Sequence, residues 1–351
     1  MVREAGRRVG ARLGRAGASI VRRLDVLQNR HRFLGLPWAV FRKYSDDNGA
    51  QLAALLTYYG FLSLFPLLLV ATVIVVEVLR SQPELQQQLL ERLVNPQIRP
   101  DVEQALRQLP SSGFPLALGL VSLVYAGTGG VLALYSALNR MWGVPRRDLY
   151  PLGRRYVRVL VVLVLAFASA LLSAGSAVVT DEVLGLPAVQ RVAAAAATAA
   201  EMVVLIAIAH KMLVCRPLRI RDFWVGAVIG AVVITALLTV AVTVLPALVA
   251  RAGPVYGSFA TVVGVFAVLY LLSQTLVLSV EISTVLEAGL SPRGLTDARL
   301  TASDRRALVL QARRQERVAG QRITTTFPTP AADRSSGAGE PGEPNRGDVA
   351  E

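Results

Sequence analysis

A chain of 351 residues that is 53% hydrophobic and 17% charged, with a mean hydropathy of +0.49, is too apolar for an ordinary soluble domain, in which about a quarter of the residues are charged. Its net charge of +13 rests almost wholly on arginine, Lys43 and Lys211 being the two lysines. In a soluble protein that charge would indicate nucleic acid, but here the basic residues flank apolar spans, so the expected partners are anionic lipid headgroups and not nucleic acid. The lone Cys215 excludes an internal disulfide and leaves no thiol cluster for a metal.

In chain order, residues 1–43 form a basic segment without the apolar core and cleavage site of a signal peptide. Its end, residues 31–43, mixes Phe33, Leu34, Trp38 and Phe41 with Arg32, Arg42 and Lys43, the composition of an interfacial helix. Asp46, Asp47 and Asn48 then offer N-caps. The membrane domain, residues 44–290, holds six apolar stretches, at 52–78, 114–138, 157–179, 192–214, 223–249 and 259–286. Each is long enough to cross about 30 Å of hydrocarbon as a helix. Nothing alternates with period two, so the predicted fold is all-α, a polytopic membrane protein of six transmembrane helices. Between the first two, residues 83–109 place Leu85, Leu89, Leu93, Val102 and Leu106 at near-helical spacing among polar residues, which predicts an amphipathic helical segment. Residues 291–351 read as a polar tail, with a short helix within 297–321 and the composition of disorder from 324 onward.

The basic residues set the expected orientation. Residues 1–43 carry 11 Lys and Arg, 140–158 carry 6, 211–221 carry 4 and the chain after 290 carries 10, whereas the intervening loops share 6. Basic loops stay in the cytoplasm, so both termini are expected inside a bacterial cytoplasmic membrane.

Several positions are candidates for function. In the first span, Thr57, Tyr58, Tyr59 and Ser63 precede Pro66, whose missing N–H bends a helix; these residues either line a polar cavity or make a packing kink. Gly127, Gly129 and Gly130 in the second span allow either a broken helix or close packing. Gly226 and Gly230 have the spacing of a helix–helix contact. Ionisable residues inside the membrane are costly, which singles out Glu201 near the middle of the fourth span and Glu281 near the inner end of the sixth, with His210 and Glu77 closer to the interfaces. Each carboxyl serves either a transport site or a structural hydrogen bond. No Walker loop, HExxH, nucleophile elbow or metal-ligand spacing occurs, so neither an enzyme nor a cofactor is expected.

The runs Leu55-Leu56-Thr57-Tyr58-Tyr59, Leu62-Ser63-Leu64-Phe65-Pro66, Asn139-Arg140-Met141-Trp142-Gly143-Val144 and Tyr256-Gly257-Ser258, followed by Glu281, resemble the YihY/BrkB family of inner-membrane proteins over about residues 35–290. The sequence departs from the family pattern at Ser279-Val280, where Gly-Ala usually precedes the glutamate, and at Val268, where a Trp usually stands. The resemblance implies six membrane helices and marks Tyr58, Tyr59, Ser63, Pro66, Asn139, Arg140, Tyr256, Gly257 and Glu281 as site positions. Some members carry a ribonuclease BN label, which the absence of catalytic residues here argues against. The YhjD-like branch is associated with passage of lipid-like envelope components. The expected function is therefore transport of an amphiphilic substrate, proton-coupled if driven, with a non-transporting scaffold for envelope assembly as the alternative. A homo-oligomer is compatible with either.

Overall fold

A computed structural model describes residues 32–81, 113–183, 187–251, 253–295 and 300–327. The expected amphipathic segment at 83–109, the basic residues 1–31 and the tail beyond 327 lie outside them. The described residues form eight α-helices and no strand: α1 (Arg32–Asp46), α2 (Gly49–Ser81), α3 (Gly113–Met141), α4 (Leu152–Val183), α5 (Pro187–Leu213), α6 (Ile220–Arg251), α7 (Gly253–Glu287) and α8 (Ala302–Arg313), with a short 3-10 turn at Arg146–Asp148. Five stretches are long and apolar enough to cross a membrane, in α2, α3, α5, α6 and α7. The expected third span falls within α4, an unbroken helix of 32 residues. At 1.5 Å per residue such a helix is about 48 Å long, longer than the hydrocarbon core itself.

The six long helices close into a ring. Each of α2 to α7 packs on the next and α7 returns to α2, while α3 also touches α5 and α7. The outer surface is what lipid requires, with Phe65, Val121, Tyr125, Val242 and Phe259 exposed. The interior is tight where glycine permits it. A Cβ on Gly127 would lie 2.6 Å from Leu163 of α4, and one on Gly129 would lie 2.4 Å from the Tyr59 ring of α2. α3 runs through these glycines unbroken, so their place is close packing. Gly226 and Gly230 likewise seat Ser279 and Ser283 of α7 against α6, as their spacing predicts.

The folded part extends past residue 290. Ala39 and Val40 of α1, Val285 and Leu290 at the end of α7, and Ala307 of α8 form a second apolar cluster beneath the bundle. α8 begins with a capping box, in which the Thr301 hydroxyl accepts from the Asp304 N–H and the Asp304 carboxylate accepts from the Thr301 N–H. Asp304 also accepts from Arg293 Nε and the Gly294 N–H, both at 3.0 Å. The sequence boundary at 290 thus separates membrane-spanning from polar residues, and the polar segment docks on the bundle through Arg293, Ala307 and Arg314. Further along, Arg147 in the α3–α4 loop binds Glu316 at 3.1 Å.

Burial alone would raise the Asp304 pKa, but the Gly294 N–H, Thr301 and Arg293 outweigh it and hold the carboxyl below its ordinary 3.8. A depressed pKa stabilises the fold above the ordinary value and loses that contribution as pH falls through the folded one. Wild-type protein is therefore expected to protect 300–327 from proteolysis at every pH above that value. Asp304→Ala, losing cap and ion pair, is expected to weaken the docking of this segment by about 2–3 kcal/mol and to admit trypsin at neutral pH while the bundle stays intact.

Candidate functional site

One end of the ring gathers the C-termini of α3, α5 and α7 and the N-termini of α2, α4 and α6, together with α1 and α8. Helix C-termini leave carbonyls without intrahelical partners and carry partial negative charge. The arginine-rich sequence answers them directly. Lys43 Nζ donates to Met141 O at 2.9 Å, Arg158 to Met212 O at 2.9 Å, Arg306 to Ala288 O at 3.1 Å and Arg314 to Arg140 O at 3.3 Å. Gly143, at φ +64, ends α3 with the Val144 N–H on Asn139 O and its own N–H on Arg140 O. That turn sets Arg140, Met141 and Trp142 at the end of the bundle.

A chain of charges crosses this end. Glu281, with none of its surface exposed, lies six residues inside the end of α7, about 9 Å along the helix. Its Oε2 accepts from Lys43 Nζ at 2.9 Å and from the Thr284 hydroxyl at 3.2 Å, while its Oε1 has no hydrogen-bond partner among the described residues. Lys43 also donates to Asp47 at 2.6 Å, so all three ammonium protons are used. Asp47 in turn binds Arg314, just after α8, at 2.5 Å. Burial pulls the Lys43 ammonium down, but Glu281 and Asp47 outweigh it and hold its pKa above the ordinary 10.5. Asp46 and Asp47, expected as caps, serve as ion-pair partners instead, Asp46 to Arg293 at 2.7 Å.

Above this chain lies a cavity of about 270 Å³, walled by α1, α3, α7 and α8 and by Arg216 of the α5–α6 loop. Six cations line it, Lys43, Arg140, Arg216, Arg293, Arg306 and Arg314, against the carboxylates Asp46, Asp47 and Glu287. Trp142 forms part of the wall, 4% exposed, and among the described residues its indole N–H has no acceptor; neither has the buried Nε of Arg140. Behind Trp142, His210 is buried near the end of α5, its ring stacked on Phe223 at 4.7 Å and edge-on to Trp142 at 5.9 Å.

Of the positions marked in the sequence, Asn139, Arg140 and Glu281 come together here. Asn139 is a staple: its Nδ2 donates to Leu213 O at 2.9 Å and its Oδ1 accepts from the Cys215 N–H at 2.8 Å, tying α3 to the end of α5. The others stand elsewhere. Tyr58 is 55% exposed on the outer surface and edge-stacked on Tyr59 at 5.2 Å. The Thr57 and Ser63 hydroxyls donate to Ala53 O and Gly60 O of their own helix, and α2 continues through Pro66. Glu201 is half-buried and accepts from Ser169 Oγ of α4, away from the cavity. Tyr256 and Gly257 lie in the first turns of α7, where the side chains are outside the described set. Sequence reasoning missed Lys43, Asp47, Trp142 and Arg314 as members of the site. Only Trp142 had a local signal, an aromatic before glycine in the run Asn139–Val144.

A closed ring of apolar helices around a buried charge chain and an end cavity defines a multi-pass membrane protein with a polar site at one end. The chain belongs to the Virulence factor BrkB family, whose pattern matches residues 40–301. An uncharacterized protein of Dickeya dadantii (strain 3937) is 33% identical over 99 residues, so the chain matches about 28% of that relative's length. No solved structure matches.

Proposed function

We propose that this protein is a transporter of the bacterial cytoplasmic membrane that moves an amphiphilic, lipid-like envelope component, with both termini in the cytoplasm. The observation that supports this is the charge-lined cavity of about 270 Å³ let into the end of an apolar ring. A bundle serving only as an anchor gains nothing from holding Glu281, Lys43 and Asp47 out of water, because buried ion pairs contribute little net stability. Ionisable groups retained at membrane depth commonly mark a substrate or ion path. The distribution of arginine supports a cytoplasmic position for the cavity, where a headgroup would enter. With no nucleotide-binding loop in the sequence, movement runs on a gradient. Glu281, with one oxygen on Lys43 and the other unbonded, is the carboxyl best placed to exchange a proton. We read the protein as a carrier rather than an enzyme because the sequence pairs no nucleophile with a base and has no metal-ligand spacing.

The test uses proteoliposomes containing fluorescently (NBD-) labelled phosphatidylglycerol and a membrane-impermeant reductant, dithionite. The reading predicts that label in the inner leaflet becomes accessible to the reductant faster than in protein-free vesicles. Equal protection in the two preparations, with and without a proton gradient, would overturn it.

A further inference from the structure

We propose that the cavity binds a phosphate-like anionic group, held by Arg140 and the indole N–H of Trp142 with Arg306 beside them. This deepens the transport reading by naming the chemistry of the group taken up, and it is testable without transport. The cavity's own charges carry the argument. Four of its six cations are matched by carboxylates: Lys43 and Arg314 by Asp47, Arg293 by Asp46 and Asp304, and Arg216 by Glu287. Arg140 and Arg306 have no carboxylate within ion-pair distance among the described residues, and both line the cavity. The one protein acceptor of Arg306 is the Ala288 carbonyl, at 3.1 Å.

The hydrogen-bonding balance points the same way. Buried N–H groups are nearly always paired, yet Arg140 Nε and Trp142 Nε1 are buried with no acceptor among the described residues. Two unmatched cations on the cavity, with two unsatisfied donors buried in its wall, call for a ligand that brings negative charge and several acceptor oxygens. A guanidinium fork fits a tetrahedral oxyanion with two parallel hydrogen bonds. At about 30 Å³ per water, the space equals about nine waters, room for a phosphate with a small polar substituent. Basic pockets at the cytoplasmic ends of membrane helices take lipid headgroups in the same way. The phosphate belongs either to a phospholipid or to a free ion.

The test is equilibrium binding to the full chain in nonionic detergent, in phosphate-free buffer. The probes are inorganic phosphate, followed by calorimetry, and phosphatidylglycerol against phosphatidylcholine, followed by native mass spectrometry. Saturable binding of phosphatidylglycerol or of phosphate is expected, the first identifying a lipid source and the second a free ion. Arg140→Gln should weaken it about tenfold or more, the loss of a charge-assisted hydrogen bond, and Trp142→Phe by less. Arg221→Gln removes a charge from the same end, 72% exposed and outside the cavity, and should change nothing. Melting without ligand reports folding; if Arg140→Gln fails to fold, Trp142→Phe and Arg306→Gln answer the same question. No saturable binding of either probe, or equal loss in Arg140→Gln and Arg221→Gln, would overturn the proposal by reducing the effect to general attraction by a basic surface.

Discussion

Replacing Lys43 by methionine is expected to remove about 3–5 kcal/mol of stability, because it strips a fully buried carboxylate of its cation. Lys43 is the only basic partner of Glu281 among the described residues, and its other two protons tie Asp47 and the end of α3 into the same cluster. Water cannot replace it, since Glu281 is completely enclosed. The measurement is thermal unfolding in detergent followed by tryptophan fluorescence. Combining Lys43→Met with Glu281→Leu should recover most of the loss, since an apolar pair of similar volume needs no charge partner. The pH dependence follows from the raised Lys43 pKa. The Lys43 contribution is complete below the ordinary 10.5 and fades as pH rises through the higher folded value, so the part of the melting profile that Lys43 controls lies in alkali.

Gly226→Ala is expected to be as damaging as the loss of Lys43, for a steric reason. A Cβ there would lie 2.0 Å from the Ser279 carbonyl oxygen and 2.2 Å from Ser283 Oγ. A backbone oxygen cannot rotate away, so α6 and α7 must separate and the Ser283 hydroxyl would lose its bond to Phe223 O. The cost should reach or pass the upper end of the usual overpacking range of about 1–3 kcal/mol. Gly230→Ala, which meets the Ser279 side chain at 2.6 Å, should cost less. Gly60→Ala, whose nearest contact is Leu269 at an ordinary 3.9 Å, should be neutral or slightly stabilising through helix propensity. Melting temperatures of the three variants should rise in that order, from Gly226→Ala to Gly60→Ala. Equal losses would show that the α6–α7 seam is not set by Gly226.

What was legible in the sequence was whatever repeats locally. Apolar runs marked all six long helices to within a few residues, and GxxxG spacing located the α6–α7 contact. Aromatic and basic residues at 31–43 marked α1. The site was legible only in fragments. Asn139, Arg140 and Glu281 stood out, but Lys43 and Glu281 are 238 positions apart and Asp47 and Arg314 are 267, so no periodicity records their meeting. The tail showed its short helix within 297–321 but not the docking of that helix, for a related reason. Residues 300–327 have too few apolar side chains to announce a packed segment, and their anchorage is ionic, through Asp304, Arg314 and Glu316. The hydroxyls of the first span left two readings open in the sequence. Thr57 and Ser63 each donate to a carbonyl of their own helix, the geometry of the packing alternative.

The most direct test of the central claim, that substrate passes by way of the end cavity, is to plug it reversibly. Gln311 of α8 lines the cavity, and Gln311→Cys in a Cys215→Ser background provides a single thiol there. Translocation of NBD-phosphatidylglycerol would be followed before labelling, after complete labelling with a bulky methanethiosulfonate, and after release by a reducing agent. The account predicts that translocation stops with the adduct and returns on its removal. Translocation at the unlabelled rate, with labelling complete by mass spectrometry, would contradict it.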